Sequence, residues 1–283
     1  MNKSSRFLEL LNGFVTNYMP CSIGASPNTV TSYKYAFRLL LEFMYSKKEI
    51  PADEVSFEQL DFGMLTEFFD WIENERGCSA STKNQRLSAL LSFSEYAQNR
   101  DVDAASIFRS NIIRIPMKKA QKKQRAVFSV QEVAILLRLP NESKGTGLRD
   151  KVLLSLMYAS GARAQEICDL LIGNIQVHTK AATLNIKGKG GKLRRIGIPE
   201  NCAKMLQTYI LHRQLVSKPD RHVFSSQTHE HMTISCVEGI FKKYVRQAKA
   251  ENPTLFREDR YSPHSMRHTT ASHMLEAGVP IVG

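Results

Sequence analysis

The sequence predicts a mainly helical protein with one small antiparallel sheet, built as two domains on either side of a basic linker. Three observations predict it. The first third carries apolar residues at helical spacing, Arg114–Arg125 is a run of six cations with no acid, and residues 175–199 switch to short β-rich runs. With 283 residues and 42% hydrophobic content, the chain can bury a core in each domain. The predicted boundaries are 1–113, 114–126 and 127–283.

The helices follow in order. Ser26-Pro27 is a cap followed by a first-turn proline, and Val30, Tyr33, Phe37, Leu40, Leu41 and Met44 then recur on one face. Leu65, Phe68, Phe69 and Ile72 mark a second helix ending near Gly77. A third starts at Ser79 or Ser81 and carries Leu87, Leu90, Leu91 and Ala97. Its other residues, Thr82, Lys83, Asn84 and Arg86, are predicted to form a polar face, either solvated or turned to a ligand. The linker RIPMKKAQKKQR contains Lys118, Lys119, Lys122 and Lys123 and is too basic to bury. It is either a tether or a strap lying on phosphates.

Beyond the linker, Ser129 and Glu132 form a capping box that opens a helix through Ala134, Leu137 and Leu139. Val152–Tyr158 is apolar almost all round and is predicted to be a buried helix. NIQVHT, ATLNIK and RRIGIP read as three strands, with the glycine-rich turn KGKGGK between the last two. Helices resume at about 200–215 and 235–249, and SPHSMRHTTASHMLEAG is the last, closed by Gly278.

A net charge of +12 points to a polyanionic partner, nucleic acid before a membrane surface. The five cysteines are scattered with no CxxC pair, so neither a disulfide framework nor a zinc module is expected. No secretory segment or membrane-length apolar run is present in the sequence, and a cytoplasmic protein is expected.

Four pieces carry candidate chemistry. In SGARAQE, Arg163 falls near a helix start, where backbone N–H groups also favour anions, and Glu166 lies three residues on. KGKGGKLRR puts five cations on a hairpin tip but does not satisfy a phosphate-binding P-loop pattern. In HSMRH, His264 and Arg267 share a helical face. His268 and His273 have no assigned role, and His229 and His231 lack a third ligand for a metal. Taken singly, each piece also fits a solvated surface.

In this order, SGARAQE, KGKGGK and HSMRHTTASHMLEAG resemble the tyrosine recombinase/phage integrase family over nearly the whole chain. The resemblance implies a helical, SAM-like core-binding domain, the linker, and a mixed α/β catalytic domain closing as a C-shaped clamp on duplex DNA. It makes Arg163 and Arg267 the arginines that clamp the scissile phosphate, with Glu166 supporting the first. It makes Lys189 the general acid, with Lys192 the fallback if the turn shifts register, and His264 a phosphate ligand and proton handler. It implies a homo-tetramer on paired sites, with a partner recombinase as an option, and neither metal nor cofactor, since a 3′-phosphotyrosine stores the bond energy. Lys83, Asn84, Arg86, Lys118, Lys119, Lys122 and Lys123 are the candidate DNA contacts.

The pattern breaks at the nucleophile. The family places its tyrosine after the HxxRH helix, whereas the last of nine tyrosines here, Tyr261, precedes His264. No nucleophile is assigned, and the chain alone is expected to bind DNA without cutting it. A sequence stopping short of its C-terminal end, a natural non-cutting variant and a tyrosine lent in trans all fit this break. The rival function is a non-catalytic DNA-binding remnant or regulator of recombination sites.

Overall fold

The computed structural model describes residues 5–120, 126–188, 191–258 and 260–279. They form two compact units, Met1–Lys122 and Lys123–Gly283.

The first unit is helical. α1 (Arg6–Gly13) runs into a π-helical stretch, Phe14–Ser22, that contains Pro20. α2 (Pro27–Lys48), α3 (Phe62–Asn74), α4 (Ala80–Gln98) and α5 (Val102–Ile112) follow. The polar residues before these helices act as caps: Ser26, Asp61, Ser79 and Asp101 each accept a backbone N–H of the first turn. Phe93 of α4 is fully buried and meets six other rings, those of Phe7, Phe14, Phe37, Phe57, Tyr96 and Phe108.

The second unit is mixed. α6 (Val130–Arg138) opens with the predicted box: Glu132 N–H donates to Ser129 Oγ at 3.2 Å, and Ser129 N–H donates to the Glu132 carboxylate at 2.7 Å. The second Glu132 oxygen accepts the N–H of Phe256, which ties a distant loop to the same cap. α7 (Gly145–Ser160) is the central helix, with Val152, Leu153, Leu154, Leu156 and Met157 fully buried. It packs on α9 (Glu200–His212), α11 (Pro263–Glu276) and the sheet, while α10 (Ile234–Glu251) packs on α6.

β1 (Ile175–His178), β2 (Ala181–Lys187) and β3 (Leu193–Pro199) pair antiparallel in sequence order. Ile186 faces Arg194, and Lys187 faces Leu193. The neck of the hairpin closes through Gly188 N–H to Lys192 O at 2.8 Å, with Gly191 at a left-handed φ of 77° that suits glycine. The fold class is the one the sequence predicts, a helical unit followed by a helical unit with a small sheet. Among the described residues, no helix is long and apolar enough to cross a membrane.

Candidate phosphate-binding site

The site forms where α7 ends. Gly161 caps that helix at a left-handed φ of 56°. A side chain there would be strained and would press on Thr270 of α11 at 3.4 Å. The turn delivers Arg163 in extended conformation to the N-cap of the short helix α8 (Ala164–Cys168). Glu166, on α8, is only 7% exposed. Its carboxylate accepts Arg163 N–H at 2.7 Å and Arg163 Nη1 at 2.9 Å, and it also accepts Arg194 Nη2 from β3. Arg267 comes from α11 and donates through Nη1 to the carbonyl of Gly161.

Three guanidinia therefore gather around one buried carboxylate. Burial, and then the charges of Arg163 and Arg194, hold the Arg267 guanidinium below its ordinary value, with Glu166 pulling it partly back. Three cations against one anion leave an excess that an oxyanion can neutralise, and Arg163 keeps 46% of its side chain exposed to meet one. His264 is exposed one turn from Arg267, its ring edge-on to His268 at 4.9 Å. His273 bonds Tyr158 Oη through Nδ1 at 2.9 Å, which gives it a packing role on α7.

Arg163, Glu166 and Arg267 are thus brought together. Lys189 lies outside the described residues, as do Lys122 and Lys123. Lys192 sits exposed at the hairpin neck. Gly188, beside it, has its Cβ position 3.6 Å from Glu166 Oε1, so the hairpin base abuts the carboxylate. Arg194 is the residue of this cluster that sequence reasoning missed. Its signal was strand alternation: Arg194, Ile196 and Ile198 share the inward face of β3, whereas Leu193, Arg195 and Gly197 point out.

The candidate DNA contacts of the first unit are placed differently from the expectation. Lys83 is 5% exposed, not solvent-facing. Its ammonium lies 3.1 Å from Glu73 Oε2 and 5.7 Å over the Phe69 ring. It precedes Leu87 by four residues and Leu90 by seven, so helical geometry places it on the apolar face. Asn84 clasps the backbone of Lys118, donating to its carbonyl at 2.7 Å and accepting its N–H at 2.9 Å. Lys118 Nζ lies 2.9 Å from the same Glu73 oxygen. The linker is therefore held to the first unit as far as Lys118. Arg86 is half-buried over the Tyr35 ring at 4.7 Å and reaches Ser32. Of this group, Lys118 and Lys119 are exposed.

Burial raises the Glu73 carboxyl, but its contacts with Lys118 and Lys83 outweigh that and hold it below the usual carboxylate range. A depressed carboxyl contributes stability that is present above its unfolded value and lost as pH falls through the folded one. Unfolding of wild type and Glu73→Gln by acid is expected to differ most near neutral pH and to converge below that lowered value. Equal acid sensitivity would refute the contribution.

Among the described residues, no group of three or more His, Cys, Asp or Glu side chains is arranged to hold a metal ion. A helical unit is thus followed by a sheet-bearing helical unit in which Arg163, on a glycine-capped turn, and Arg267, from α11, meet beside one carboxylate. Comparison with known proteins gives this arrangement a family. Residues 126–282 match the phage integrase family, and residues 7–114 match the phage integrase SAM-like domain. The tyrosine recombinase XerD of Vibrio cholerae is 28% identical over 261 residues, covering 91% of this chain and 80% of XerD. The tyrosine recombinase XerC of Chlamydia caviae is 31% identical over 202 residues, covering 71% and 61%. In structure, the chain resembles XerH recombinase bound to its difH substrate, with a TM-score of 0.70 at 18% identity, covering 98% of this chain and 80% of XerH. It also resembles the Tn1549 transposon integrase in complex with DNA, with a TM-score of 0.71 at 15% identity, covering 95% and 87%. The chain belongs to the phage integrase family, the tyrosine-type site-specific recombinases.

Proposed function

We propose that this chain grips duplex DNA and holds one phosphodiester between Arg163 and Arg267, ready for attack by a tyrosine. The observation that carries the reading is the braced pair of guanidinia, one locked by Glu166 and the other by Gly161 O. Fixed donors aimed at non-bridging oxygens stabilise the charge that grows as a nucleophile adds. His264, exposed beside them, is suited to donate to an oxygen or move a proton, and Lys189 to protonate the leaving 5′-oxygen. The step needs no metal or cofactor, because the phosphate is passed to a tyrosine and back.

Three of the second unit's four tyrosines are engaged elsewhere, and the fourth is buried. Tyr158 bonds His273, Tyr244 donates to Asp150 at 3.0 Å, Tyr261 stacks on Phe128 at 4.3 Å, and Tyr209 is buried. Burial raises all four phenols, which disfavours the phenolate. This supports a chain that binds without cutting alone. We take residues 1–113 as the core-binding domain and 127–283 as the catalytic one. We place the protein in the cytoplasm, acting as a homo-tetramer on paired sites or with a partner recombinase. The second reading is a non-catalytic DNA-binding remnant or regulator of recombination sites.

A nicked suicide duplex carrying candidate sites tests this on a denaturing gel. Salt-sensitive binding with no covalent adduct is expected, and Arg163→Gln with Arg267→Gln should flatten the salt slope by about 0.9 for each phosphate left without its cation. A covalent adduct formed by this chain alone would overturn the tyrosine assignment. Adduct formation only when a family member carrying a tyrosine is added would separate the recombinase from the regulator.

A further inference from the structure

The far end of α7 carries a second cationic pocket that the clamp does not use. Lys144, the N-cap residue, provides no side-chain acceptor, so α7 starts with uncapped N–H groups and the positive end of its dipole. They open on a cavity of about 440 Å³ lined by Gly145, Thr146, Arg149, Tyr209, Arg213 and Ser225. Arg149 is spent on Asp150, at 3.0 and 2.8 Å from Nε and Nη2. Arg213 gives Nη2 to Ser225 Oγ at 2.8 Å and is otherwise exposed.

The decisive group is Tyr209. It is 1% exposed, its ring is stacked on Phe224, and its buried hydroxyl has no hydrogen-bond partner. Tyr209 lines the cavity together with Arg149 and Arg213; burial and Asp150 raise its phenol, and the charges of those two arginines act against them. A buried hydroxyl without a partner is uncommon in a folded protein. In a cavity lined by Arg213 and the first residues of α7, an anion is the acceptor that would satisfy it.

We propose that this pocket binds a phosphate group. The N–H groups of Gly145 and Thr146 and the Arg213 guanidinium take its oxygens, and the Tyr209 hydroxyl donates to one of them. Sixteen residues of helix at about 1.5 Å each put the pocket roughly 24 Å from Gly161, so it is not an annex of the clamp. The phosphate comes either from a nucleic-acid backbone or from a free phosphate compound.

Titration of the isotope-labelled chain with inorganic phosphate, read at the backbone amides of Gly145 and Thr146, separates this pocket from the clamp. Saturable shifts are expected with phosphate and not with chloride of equal ionic strength. Tyr209→Phe and Arg213→Gln should each weaken binding by about tenfold, the loss of one charge-assisted or buried bond. Tyr209→Phe should also raise the melting temperature of the ligand-free protein, because it removes the orphaned hydroxyl. That opposite pair of signs is the signature of the site. A Tyr209→Phe protein that melts higher and binds phosphate like wild type would overturn the proposal, as would amides that do not shift. Duplex binding then names the source. If Arg213→Gln lowers the salt slope by about 0.9, the phosphate belongs to DNA. If DNA binding is unchanged while inorganic phosphate no longer binds, it belongs to a free compound.

Discussion

Phe93→Ala is expected to unfold Met1–Lys122 at a much lower denaturant concentration than wild type while leaving Lys123–Gly283 folded. Phe93 touches six rings drawn from α1, the π-helical stretch, α2, α4, α5 and the Phe57 loop, so its removal opens the centre of the first unit rather than its edge. Truncating a buried phenylalanine costs about 3–5 kcal/mol, a large share of the roughly 5–15 kcal/mol that holds a domain. The chain's single tryptophan, Trp71, is buried in this same unit, so its fluorescence reports that unit alone. Urea titrations should show the tryptophan transition moving far to the left in Phe93→Ala, with the circular-dichroism signal of the second unit moving little. Phe93→Leu, which keeps most of the volume, should cost less than half as much. A tryptophan midpoint unchanged by Phe93→Ala would show that the ring cluster does not carry the unit's stability.

Much of this was legible because local rules and tertiary packing agree. Ser26-Pro27, the Ser129–Glu132 box and the apolar run of α7 each do in the fold what their spacing implies. Arg163 and Glu166 meet because three residues on one helical turn must be neighbours, and Arg267 joins them because α11 packs on α7. The failures arise where a charged residue serves the interior. Lys83 reads as surface by residue type, yet its helical position is that of Leu87 and Leu90, and only Glu73 from α3 makes its burial tolerable. A pairing between separate helices has no signature in the sequence of either. Asn84 is similar, since its partner is the backbone of a residue thirty-four positions away. Arg194 was hidden by its company: within KGKGGKLRR every cation looks alike, and only the in-out period of β3 separates it from Arg195.

Glu166→Gln should be the most informative change at the clamp, because it removes a charge and little volume. Among the described residues the carboxylate is the anion that pairs with this cluster of Arg163, Arg194 and Arg267, and it also caps α8 by accepting Arg163 N–H. Removing one partner of a fully buried ion pair costs about 3–5 kcal/mol, but two of these guanidinia are a third or more exposed, so water screens part of the loss and about 2 kcal/mol is expected. That corresponds to a fall in melting temperature of roughly 4–8 °C for a unit of this size. The effect on DNA has the opposite sense. The substitution adds net positive charge beside the proposed phosphate site, so low-salt affinity for any duplex should hold or rise while the fixed geometry of Arg163 is lost. Arg194→Gln acts on the same carboxylate, so the double variant should be less destabilised than the sum of the singles. Strictly additive effects would mean that Arg194 and Glu166 act independently. A Glu166→Gln protein that melts like wild type would mean that the three guanidinia are held apart by packing rather than by the carboxylate between them.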